Sequence, residues 1–299
     1  MDAAIVTVGD ELLAGDTENT NATWLCRELS ERGVTVKRTL TVPDEIGAIA
    51  ENVRAYAEAY DAVVVTGGLG GTPDDVTMAG VARAFDRPME PNDLARADLE
   101  RSLAALAEER PELDLDVDVE AEASIPAGAR PLINDAGLSP GCVIEPEGGG
   151  SSSGGGSPSG RSSGQRGGDT ASSRTAEPSR GPREDDAGGA PSEQSSDGNH
   201  GAVYVLPGIP GEMTSMFEGV AEEFAGAVRS AVLYTEEPEA NLIARLDEVR
   251  ERFGVGVGCY PDRDAGHNRL KLRAEDGAAL GAARDWLAAN VETIGYDRD

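Results

Sequence analysis

The run from Asp61 to Gly68, DAVVVTGG, constrains the fold more than any other part of the sequence. Its β-branched residues follow one another without polar alternation, which is typical of a strand buried on both faces of a sheet. Sheets covered on both faces consist mainly of parallel strands, because the crossover helices lie over those faces. The run therefore predicts the centre of a parallel sheet, with a glycine-rich turn at its carboxyl end.

Strand and helix patterns alternate along the first third of the chain. AAIVTVG and VTVKRTLTV are typical of strands. Apolar residues recur at helical spacing in NTNATWLCRELSERG, DEIGAIAENVRAYAEAY, DDVTMAGVARAF and PNDLARADLERSLAALAEER. This order predicts the α/β class, with a mostly parallel sheet and helices on both of its faces.

Residues 147–200 interrupt this pattern with Gly, Ser, Pro, Arg and acidic residues, and almost nothing apolar. Such a segment buries too little surface to offset the entropy of ordering, so we predict a disordered acidic Gly/Ser-rich insertion. Its flanks, GCVIEPE and AVYVLPG, read as strands, and the cost of closing a loop grows only logarithmically with its length. We expect a hairpin with an expanded turn, inside a domain that covers residues 1–230.

Residues 231–299 predict a smaller α+β unit. The strands are AVLYTE, VGVGCYP and RLKLRAE, and the helices are EANLIARLDEVRERF and DGAALGAARDWLAANVE. The order β-α-β-β-α is that of a split βαβ, ferredoxin-like layer. His267 falls in the turn DRDAGHNR between the last two strands, which predicts a solvated turn residue.

The charge balance limits the class of partner. The chain has 55 acidic and 26 basic residues and a formal charge of −29, which argues against nucleic acids and anionic membranes as partners. Lysine occurs only at Lys37 and Lys271, and acidity with so little lysine suggests a halophilic cytoplasm. The melting temperature should then fall when KCl is lowered from molar to millimolar, because self-repulsion loses its screening.

The cysteines and the apolar runs bear on localisation. Cys26, Cys142 and Cys259 are isolated in sequence and form no CxxC pair, which is typical of a reducing compartment. The sequence has no run of about 18 apolar residues, so we expect no membrane span. The N-terminus leads directly into a strand pattern without a basic region. We expect a cytoplasmic protein.

A glycine-rich loop follows the central strand. In α/β sheets, ligands bind at the carboxyl ends of the strands, where the strand order reverses. Glycines with freed N–H groups before a helix N-terminus are typical of a phosphate or carboxylate cradle. The loop matches neither the P-loop nor the GxGxxG pattern. The residues that we predict to bind a cofactor or ligand here are Thr66, Gly67, Gly68, Gly70 and Gly71.

Two aspartates, Asp74 and Asp75, directly follow this loop. Acids beside a phosphate cradle are explained by a divalent cation, since Mg²⁺ is held by one or two carboxylates together with substrate phosphates. We predict both as catalytic residues and metal ligands, with Asp44 as a third catalytic candidate and Asp10 and Glu11 as further binding residues. The alternative is helix capping, by Thr72, Asp74 or Asp75 for the third helix and by Asp44 for the second.

Two further connections should reach the same edge of the sheet. LPGIPGEM places Pro207 and Pro210 around Gly208, so that a stiff turn lets backbone approach a ligand. Glu212 follows as a binding candidate, or as an ordinary acid of a first helical turn. The first connection adds Asn19 and Asn21 as binding candidates, with helix capping as their alternative.

GDELLAGDTENTN, TGGLGGTPDDVT and LPGIPGEM, in this order, resemble the molybdopterin-binding domain of the competence/damage-inducible protein A family. These CinA-like proteins belong to a wider group in molybdenum cofactor biosynthesis that includes the molybdopterin adenylyltransferases. The resemblance covers about residues 1–230 apart from the insertion, and the smaller unit resembles a companion subdomain of long members. Many bacterial members carry a nicotinamide-nucleotide amidohydrolase domain after these motifs, and from the resemblance we expect a short form without it.

The resemblance implies a three-layer α/β/α fold that binds a pterin or a nucleotide phosphate. It implies catalytic acids in a PD turn and a DVT motif, at Asp44 and Asp75. It also implies a homo-oligomer and, as cofactors, a divalent metal such as Mg²⁺, potassium and molybdopterin. The sequence departs from the family pattern at Gly71, where proline is common, and at Gly211, where serine is usual.

Three functions follow as hypotheses. The first is metal-dependent cleavage of a dinucleotide pyrophosphate such as ADP-ribose or FAD, which makes the protein a nucleotide pyrophosphatase. The second is a nucleotidyltransferase that adenylylates molybdopterin with ATP. The third is a pterin- or nucleotide-binding module without catalysis.

Overall fold

The computed structural model describes residues 1–112, 117–145, 200–263 and 265–295. Strands and helices alternate in its first part, as predicted, with one addition, a short helix directly after the first strand. The elements are β1 (Asp2–Val8), α1 (Asp10–Ala14), α2 (Thr20–Glu31), β2 (Thr35–Val42), α3 (Ile46–Ala59), β3 (Ala62–Thr66) and α4 (Thr77–Ala84). The next part adds β4 (Met89–Pro91), α5 (Asp93–Glu109), α6 (Val119–Glu122), β5 (Ser124–Pro126), β6 (Arg130–Leu132), β7 (Gly141–Ile144), β8 (Ala202–Leu206), α7 (Pro210–Val220) and a 3₁₀ turn at Ala221–Glu223.

The main sheet is mixed but mostly parallel, with the order β2-β1-β3-β8-β7-β6. β1 pairs in parallel with β2 and β3, and β3 pairs in parallel with β8. β7 and β6 continue the sheet antiparallel. The chain leaves β1 for β2 on one side and then returns for β3 on the other, so the strand order reverses at the β1/β3 boundary.

Every residue of β3 is buried, as the DAVVVTGG run predicts. Its alternate side chains enter two separate cores. Val63 and Val65 pack with α3 and α4, where Ile49 and Val81 are fully buried. Val64 packs on the opposite face with α2 and α7, in a core that includes Leu25, Leu29, Phe217 and Phe224. Helices on both faces of one sheet confirm the three-layer α/β/α fold.

The strands on either side of the predicted insertion pair with each other. β7 and β8 are antiparallel neighbours in the register Cys142 opposite Val205 and Ile144 opposite Val203. The expectation of a hairpin with an expanded turn is confirmed for these flanks. The prediction of disorder concerns residues 147–200, which lie outside the described residues except for His200. The His200 ring contacts that of Phe85, with 6.0 Å between the centroids.

A second, smaller sheet follows. Its elements are β9 (Arg229–Thr235), α8 (Glu239–Phe253), β10 (Gly256–Asp262), β11 (His267–Ala274), α9 (Gly277–Asn290) and β12 (Thr293–Ile294). The order is β10-β11-β9-β12, with antiparallel neighbours, so β11 lies between the parallel strands β9 and β10. This split βαβ arrangement confirms the predicted α+β unit, and β12 adds a short edge strand that the sequence pattern did not indicate.

The prediction for His267 is wrong. His267 is the first residue of β11 and only 7% exposed, and its ring meets that of Tyr234 edge to face at 5.2 Å between centroids. The hairpin turn is shorter than the polar sequence around it suggests, so the histidine pairs with Asp262 inside the sheet.

The three cysteines are free thiols. Burial raises the pKa of the Cys142 thiol to about 12, which makes it unreactive at neutral pH. In the part of the chain that the structure describes, no helix has the length and apolarity to cross a membrane.

Candidate functional site

A cavity of about 380 Å³ opens at the carboxyl edge of the main sheet, where the strand order reverses. The segments that follow β1, β2, β3 and β8 all contribute to its wall, as the sequence predicts for this edge. Of the predicted site residues, all but Asp10 and Gly71 lie on the wall: Glu11, Asn19, Asn21, Asp44, Thr66, Gly67, Gly68, Gly70, Asp74, Asp75, Pro207, Gly208, Pro210 and Glu212.

The turn after β3 requires glycine at two positions. Gly67 and Gly68 have φ angles of 108° and 60°, in the region that side chains disfavour. A Cβ on Gly67 would lie 2.2 Å from the carbonyl oxygen of Val8, and one on Gly68 would lie 2.5 Å from Thr77 Oγ1. The backbone of this turn is therefore pressed against β1 and α4, which brings main-chain atoms to the cavity surface.

Hydrogen bonds from Asn21 and Thr66 join three segments at the base of the cavity. Thr66 Oγ1 donates to the carbonyl oxygen of Pro207 at 2.6 Å. Asn21 Nδ2 donates to the carbonyl oxygen of Gly208 at 2.7 Å and to Thr66 Oγ1 at 3.3 Å. This network holds α2, β3 and the turn after β8 in fixed positions.

Asn19 is the N-cap of α2, as the capping alternative states. Its side chain accepts from the backbone N–H of Ala22 at 3.0 Å and donates to Thr7 Oγ1 at 2.8 Å. Asn19 lies on the cavity wall, but both ends of its amide bond to the protein. Its contribution to the site is therefore the anchoring of α2 to β1.

Thr72 connects the two aspartates of the loop. Its hydroxyl lies 2.5 Å from Asp74 Oδ1 and 2.6 Å from Asp75 Oδ2, and its N–H donates to Asp75 Oδ2 at 2.9 Å. The hydrogen bond from Thr72 lowers the pKa of Asp74. Because a hydroxyl carries one hydrogen, it can donate to only one of the two oxygens at a time. The pair of carboxylates is thus short of positive charge or of a proton.

The capping alternative for Thr72, Asp74 and Asp75 is wrong. α4 begins at Thr77, its N-cap is Val76, and no side chain caps it. The two carboxylates form hydrogen bonds with Thr72 instead, because the turn that contains them ends before the first residue of α4.

Asp44 does not cap α3 either, because the N-cap of that helix is Glu45 and has no side-chain hydrogen bond. Asp44 Oδ2 accepts from the backbone N–H of Asp10 at 2.8 Å, which ties β2 to α1. Burial raises the pKa of Asp44, and the charges of Asp10, Glu11 and Asp74 raise it further, while the N–H bond opposes the shift. Asp44 is therefore a more basic carboxylate than an exposed aspartate.

Glu212 lies in the first turn of α7, which Pro210 begins, and its carboxylate is held from outside the helix. Glu212 Oε2 accepts from Asn134 Nδ2 at 2.8 Å. Asn134 is 1% exposed and also donates to the carbonyl oxygen of Ser139, a residue of the cavity wall. Asn134, which follows β6, thus holds the carboxylate of Glu212 in place at the cavity.

The structure places two predicted binding residues away from the cavity wall. Asp10 begins α1, and its contact with the site is the N–H that it donates to Asp44. At Gly71 the chain turns toward α6, where a Cβ would lie 2.9 Å from Glu122 Oε1. Burial and the charge of Asp75 raise the pKa of Glu122. The glycine at this position gives Glu122 room beside the loop.

The residues that line the cavity include no lysine and no arginine. The acidic side chains on the wall are Glu11, Glu18, Asp44, Asp74, Asp75 and Glu212. Within the described residues, no group of three or more His, Cys, Asp or Glu is arranged to hold a metal ion. A cation here would therefore need oxygen atoms of a ligand to complete its coordination, as Mg²⁺ commonly does.

Several wall residues carry no sequence signal. Thr7 is an ordinary strand residue, and Ser139 precedes β7, far from the four loops in sequence. Ile209 is the exception, because an apolar residue between two prolines is an unusual loop residue. It is 62% exposed at the cavity.

Comparisons with known proteins agree with this architecture. Residues 4–226 match a family model described as a probable molybdopterin binding domain. Residues 227–297 match a model described as the middle domain of FAD synthase. A solved structure of the protein CinA from Thermoplasma acidophilum, described as of unknown function, superposes with a TM-score of 0.50 at 24% identity, over 75% of this chain and 99% of that one.

Sequence relatives cover the chain to different extents. A protein of Archaeoglobus fulgidus is 28% identical over 278 residues, which is 92% of each chain. A CinA-like protein of Frankia casuarinae is 38% identical over 145 residues, 48% of this chain and 34% of its own length. The chain thus spans nearly all of the first relative but about a third of the second. Since the family model matches most of the sequence, the chain belongs to the family of the probable molybdopterin binding domain, with CinA-like relatives and a C-terminal region like the middle domain of FAD synthase.

Proposed function

We propose that the cavity binds the pyrophosphate of a dinucleotide such as ADP-ribose or FAD and hydrolyses it with the help of a divalent metal ion. The observation that carries the proposal is a wall with a glycine backbone turn, six acids and no basic side chain. A phosphate ligand without a cation would be repelled there. A phosphate ligand that arrives with a divalent cation gains from both the backbone and the acids.

The turn after β3 supplies the phosphate contacts. Among the described residues, the N–H groups of Gly68, Leu69 and Gly70 donate to no protein acceptor, whereas that of Gly67 donates to Leu206. Free N–H groups in front of a helix N-terminus favour anions. The close packing of Gly67 and Gly68 fixes this turn before a ligand arrives, so little ordering entropy is lost on binding.

Asp74 and Asp75 would hold the metal ion. They fit it because their carboxylates share the single hydroxyl hydrogen of Thr72 and remain short of positive charge. The hydrogen bond that lowers the pKa of Asp74 also keeps that group ionised and ready to bind a cation. A bound Mg²⁺ or similar ion supplies charge neutralisation at the phosphate oxygens.

Asp44 is suited to accept a proton. Burial and three neighbouring acids raise its pKa, and its carboxylate lies over Gly68. In the hydrolysis, a water oxygen attacks one phosphorus, the P–O–P bond breaks, and the water proton passes to Asp44. The products are AMP and a second phosphate monoester. A raised pKa makes Asp44 a better base than an exposed aspartate.

The C-terminal region favours a dinucleotide substrate. It matches the middle domain of FAD synthase, and FAD contains the pyrophosphate that the proposed reaction cleaves. Two separate parts of the chain therefore support the proposal. The cavity supports the metal ion, and the C-terminal region supports the dinucleotide substrate.

The test is the release of AMP by the full chain from ADP-ribose and from FAD. The assay contains Mg²⁺, Mn²⁺ or Co²⁺ and high potassium chloride, with EDTA as the metal-free control and with folding checked by circular dichroism. We expect AMP with metal and none with EDTA. Folded protein that releases no AMP from either substrate with any of the three metals contradicts the proposal.

The family match favours a second candidate, adenylylation of molybdopterin. Consumption of ATP with transfer of AMP to a pterin, and no hydrolysis of dinucleotides, would identify it. A third outcome is binding without turnover, seen as thermal stabilisation by a pterin or dinucleotide that Asp75→Ala leaves unchanged. That result would describe a binding module.

A further inference from the structure

The carboxylate of Glu212 is held in place by a buried polar network that the proposed hydrolysis does not use. Asn134 Nδ2 donates to Glu212 Oε2 at 2.8 Å, and the backbone N–H of Asn134 donates to Asp98 Oδ2 at 3.0 Å. Asn134 and Asp98 are only 1% and 2% exposed. Burial of polar groups is costly unless they are hydrogen-bonded, so this network strongly restricts the position of the Glu212 carboxylate.

The side-chain amide of Asn134 has one orientation that its neighbours allow. Its nitrogen gives one hydrogen to Glu212 Oε2 and the other to the carbonyl oxygen of Ser139, while its Oδ1 has no donor among the described residues. A flipped amide would put Oδ1 against a carboxylate and a carbonyl oxygen, neither of which carries a hydrogen. Glu212 and Ser139 are therefore held side by side by the two hydrogens of one nitrogen.

Gly137 packs against the same carboxylate. A Cβ on Gly137 would overlap with both carboxylate oxygens of Glu212. Within the described residues, Glu212 Oε1 and the hydroxyl of Ser139 form no hydrogen bond, and both residues line the cavity. The cavity wall thus presents a carboxylate oxygen and a neighbouring hydroxyl that are both available to a ligand.

This pair lies close to the glycine turn that we propose to bind phosphate. β8 is the parallel neighbour of β3, and β7 is the next strand of the sheet. The turns after β3 and β8 are in contact, since a Cβ on Gly208 would lie 3.2 Å from the Cα of Gly67. Neighbouring strands are about 4.8 Å apart. Glu212 and Ser139 are thus one or two strand spacings from the phosphate turn, which is the reach of the sugar of one nucleotide.

We propose that Glu212 and Ser139 bind the 2′- and 3′-hydroxyl groups of the ribose whose phosphate lies in the glycine turn. This inference rests on the proposed binding of a dinucleotide in the cavity. An ionised carboxylate accepts hydrogen bonds on both oxygens and donates none, which fits two neighbouring hydroxyl groups. Acidic side chains bind ribose hydroxyls in the same way in dinucleotide-binding folds. ADP-ribose and FAD share an adenosine, so this contact would select the ribonucleotide half that both substrates have.

The test is calorimetric titration of the full chain with AMP and with 2′,3′-dideoxyAMP, in Mg²⁺ and at a KCl concentration at which the protein is folded. Binding is measured without hydrolysis, so the result does not depend on pyrophosphatase activity. A hydrogen bond to a charged group changes affinity by about 10- to 100-fold, so wild type should bind AMP more tightly than the dideoxy analogue by at least that factor.

Glu212→Gln separates contact with the ribose from a general role in folding. The substitution keeps the size of the side chain and an acceptor for Asn134, but it removes the charge. Its affinity for AMP should fall towards that for 2′,3′-dideoxyAMP, while its affinity for the analogue should stay as in wild type. The matched control is Glu218→Gln, which removes the same charge from an exposed position of the same helix and should keep the full preference.

Ser139→Ala should have a smaller effect than Glu212→Gln. It removes one neutral hydrogen bond, so the preference for AMP should fall by about two- to tenfold. Circular dichroism of each variant at the assay salt shows that it is folded.

Three results would overturn the inference. They are no binding of AMP by the folded protein, equal binding of AMP and its dideoxy analogue by wild type, and equal weakening of both ligands in Glu212→Gln. A preference for AMP in a protein that hydrolyses no dinucleotide would support the inference and contradict the proposed function. Hydrolysis of dinucleotides without this preference would do the reverse.

Discussion

The cavity of the main sheet and the cationic face of the smaller sheet are built in opposite ways. The cavity has six acidic side chains on its wall, no basic one, and a glycine turn whose main chain forms part of the surface. The cationic face is the side of β11 that carries Arg269, Lys271 and Arg273, with the ring of Tyr260 on the neighbouring strand laid over Gly258. Both belong to one chain with a formal charge of −29. Net charge therefore agrees with the cavity and not with the cationic face.

The difference between the two surfaces is also one of construction. The cavity is assembled from turns that follow four strands, and hydrogen bonds such as that from Asn21 to Gly208 hold these turns together. The cationic face needs only the alternation of a single strand, β11, and its two neighbours. A substitution in the cavity should thus affect several segments, whereas one on the face should act locally.

The largest expected effect is on the activity proposed for the cavity. Asp75→Asn should lower AMP release by about 10²- to 10⁴-fold, the range for loss of a catalytic polar group, because the proposed metal ion and Thr72 would lose their shared carboxylate. Asp86→Asn, an exposed aspartate paired with Arg54, is the matched control and should keep full activity. Equal loss in both variants would remove Asp75 from the proposed site.

Salt should act on the cavity through its acidic wall. A tenfold rise in KCl should strengthen metal-free binding of ADP-ribose, because it screens the acids around the cavity. Calorimetric titration over a KCl series measures the trend. A lower affinity at higher salt would mean that local charge does not govern binding at the cavity.

Two glycine substitutions compare main-chain with side-chain construction. Gly67→Ala should destabilise the fold by about 3 kcal/mol, from a positive φ and a clash with the Val8 carbonyl that cannot move. Gly258→Ala should cost clearly less, since the flexible ring of Tyr260 can swing away. Urea unfolding gives both values, with Gly211→Ala as the control, because a Cβ there meets nothing within 4 Å. Similar costs at the two sites would contradict the comparison.

The smallest effect is a pair of opposite pH dependences inside the cavity. The pKa of Asp44 is raised in the fold, so its contribution to stability is present at low pH and is lost as the pH rises through that pKa. Asp44→Asn should therefore stabilise the fold slightly at neutral pH, by no more than about 0.5 kcal/mol in the free energy of unfolding, while it lowers activity. The melting temperature should rise accordingly. The gain should vanish below roughly pH 4.

Asp74 should show the reverse. Its pKa is lowered by Thr72, so its contribution is present at neutral pH and is lost as the pH falls through the folded pKa. Asp74→Asn should then lower the melting temperature at neutral pH, and the loss should disappear in acid. Differential scanning calorimetry of the two variants over a pH series compares them. A shift of the same sign in both would show that burial and the Thr72 bond do not set these pKa values.

Much of the fold could be predicted because its signals are local. DAVVVTGG has no polar alternation, so it had to be a buried central strand, and β3 is buried throughout. The split βαβ order of the smaller unit was readable for the same reason, except for β12, which is too short to show a period. His267 was misjudged because burial of a turn-flanking residue depends on Tyr234, which is distant in sequence.

The sequence by itself determined the α/β class, the glycine turn after β3 and the meeting of four loops at one edge, because periodicity and turn chemistry are properties of neighbouring residues. Only the tertiary structure decided what each side chain does there. It turned Asp74 and Asp75 back to Thr72 and away from a helix cap, gave Asp44 its raised pKa, and brought Asn134 and Ser139 to Glu212. It also gathered Arg269, Lys271 and Arg273 on an uncovered face. Burial, hydrogen-bond partners and local field arise between segments far apart in the chain, so no window of sequence contains them.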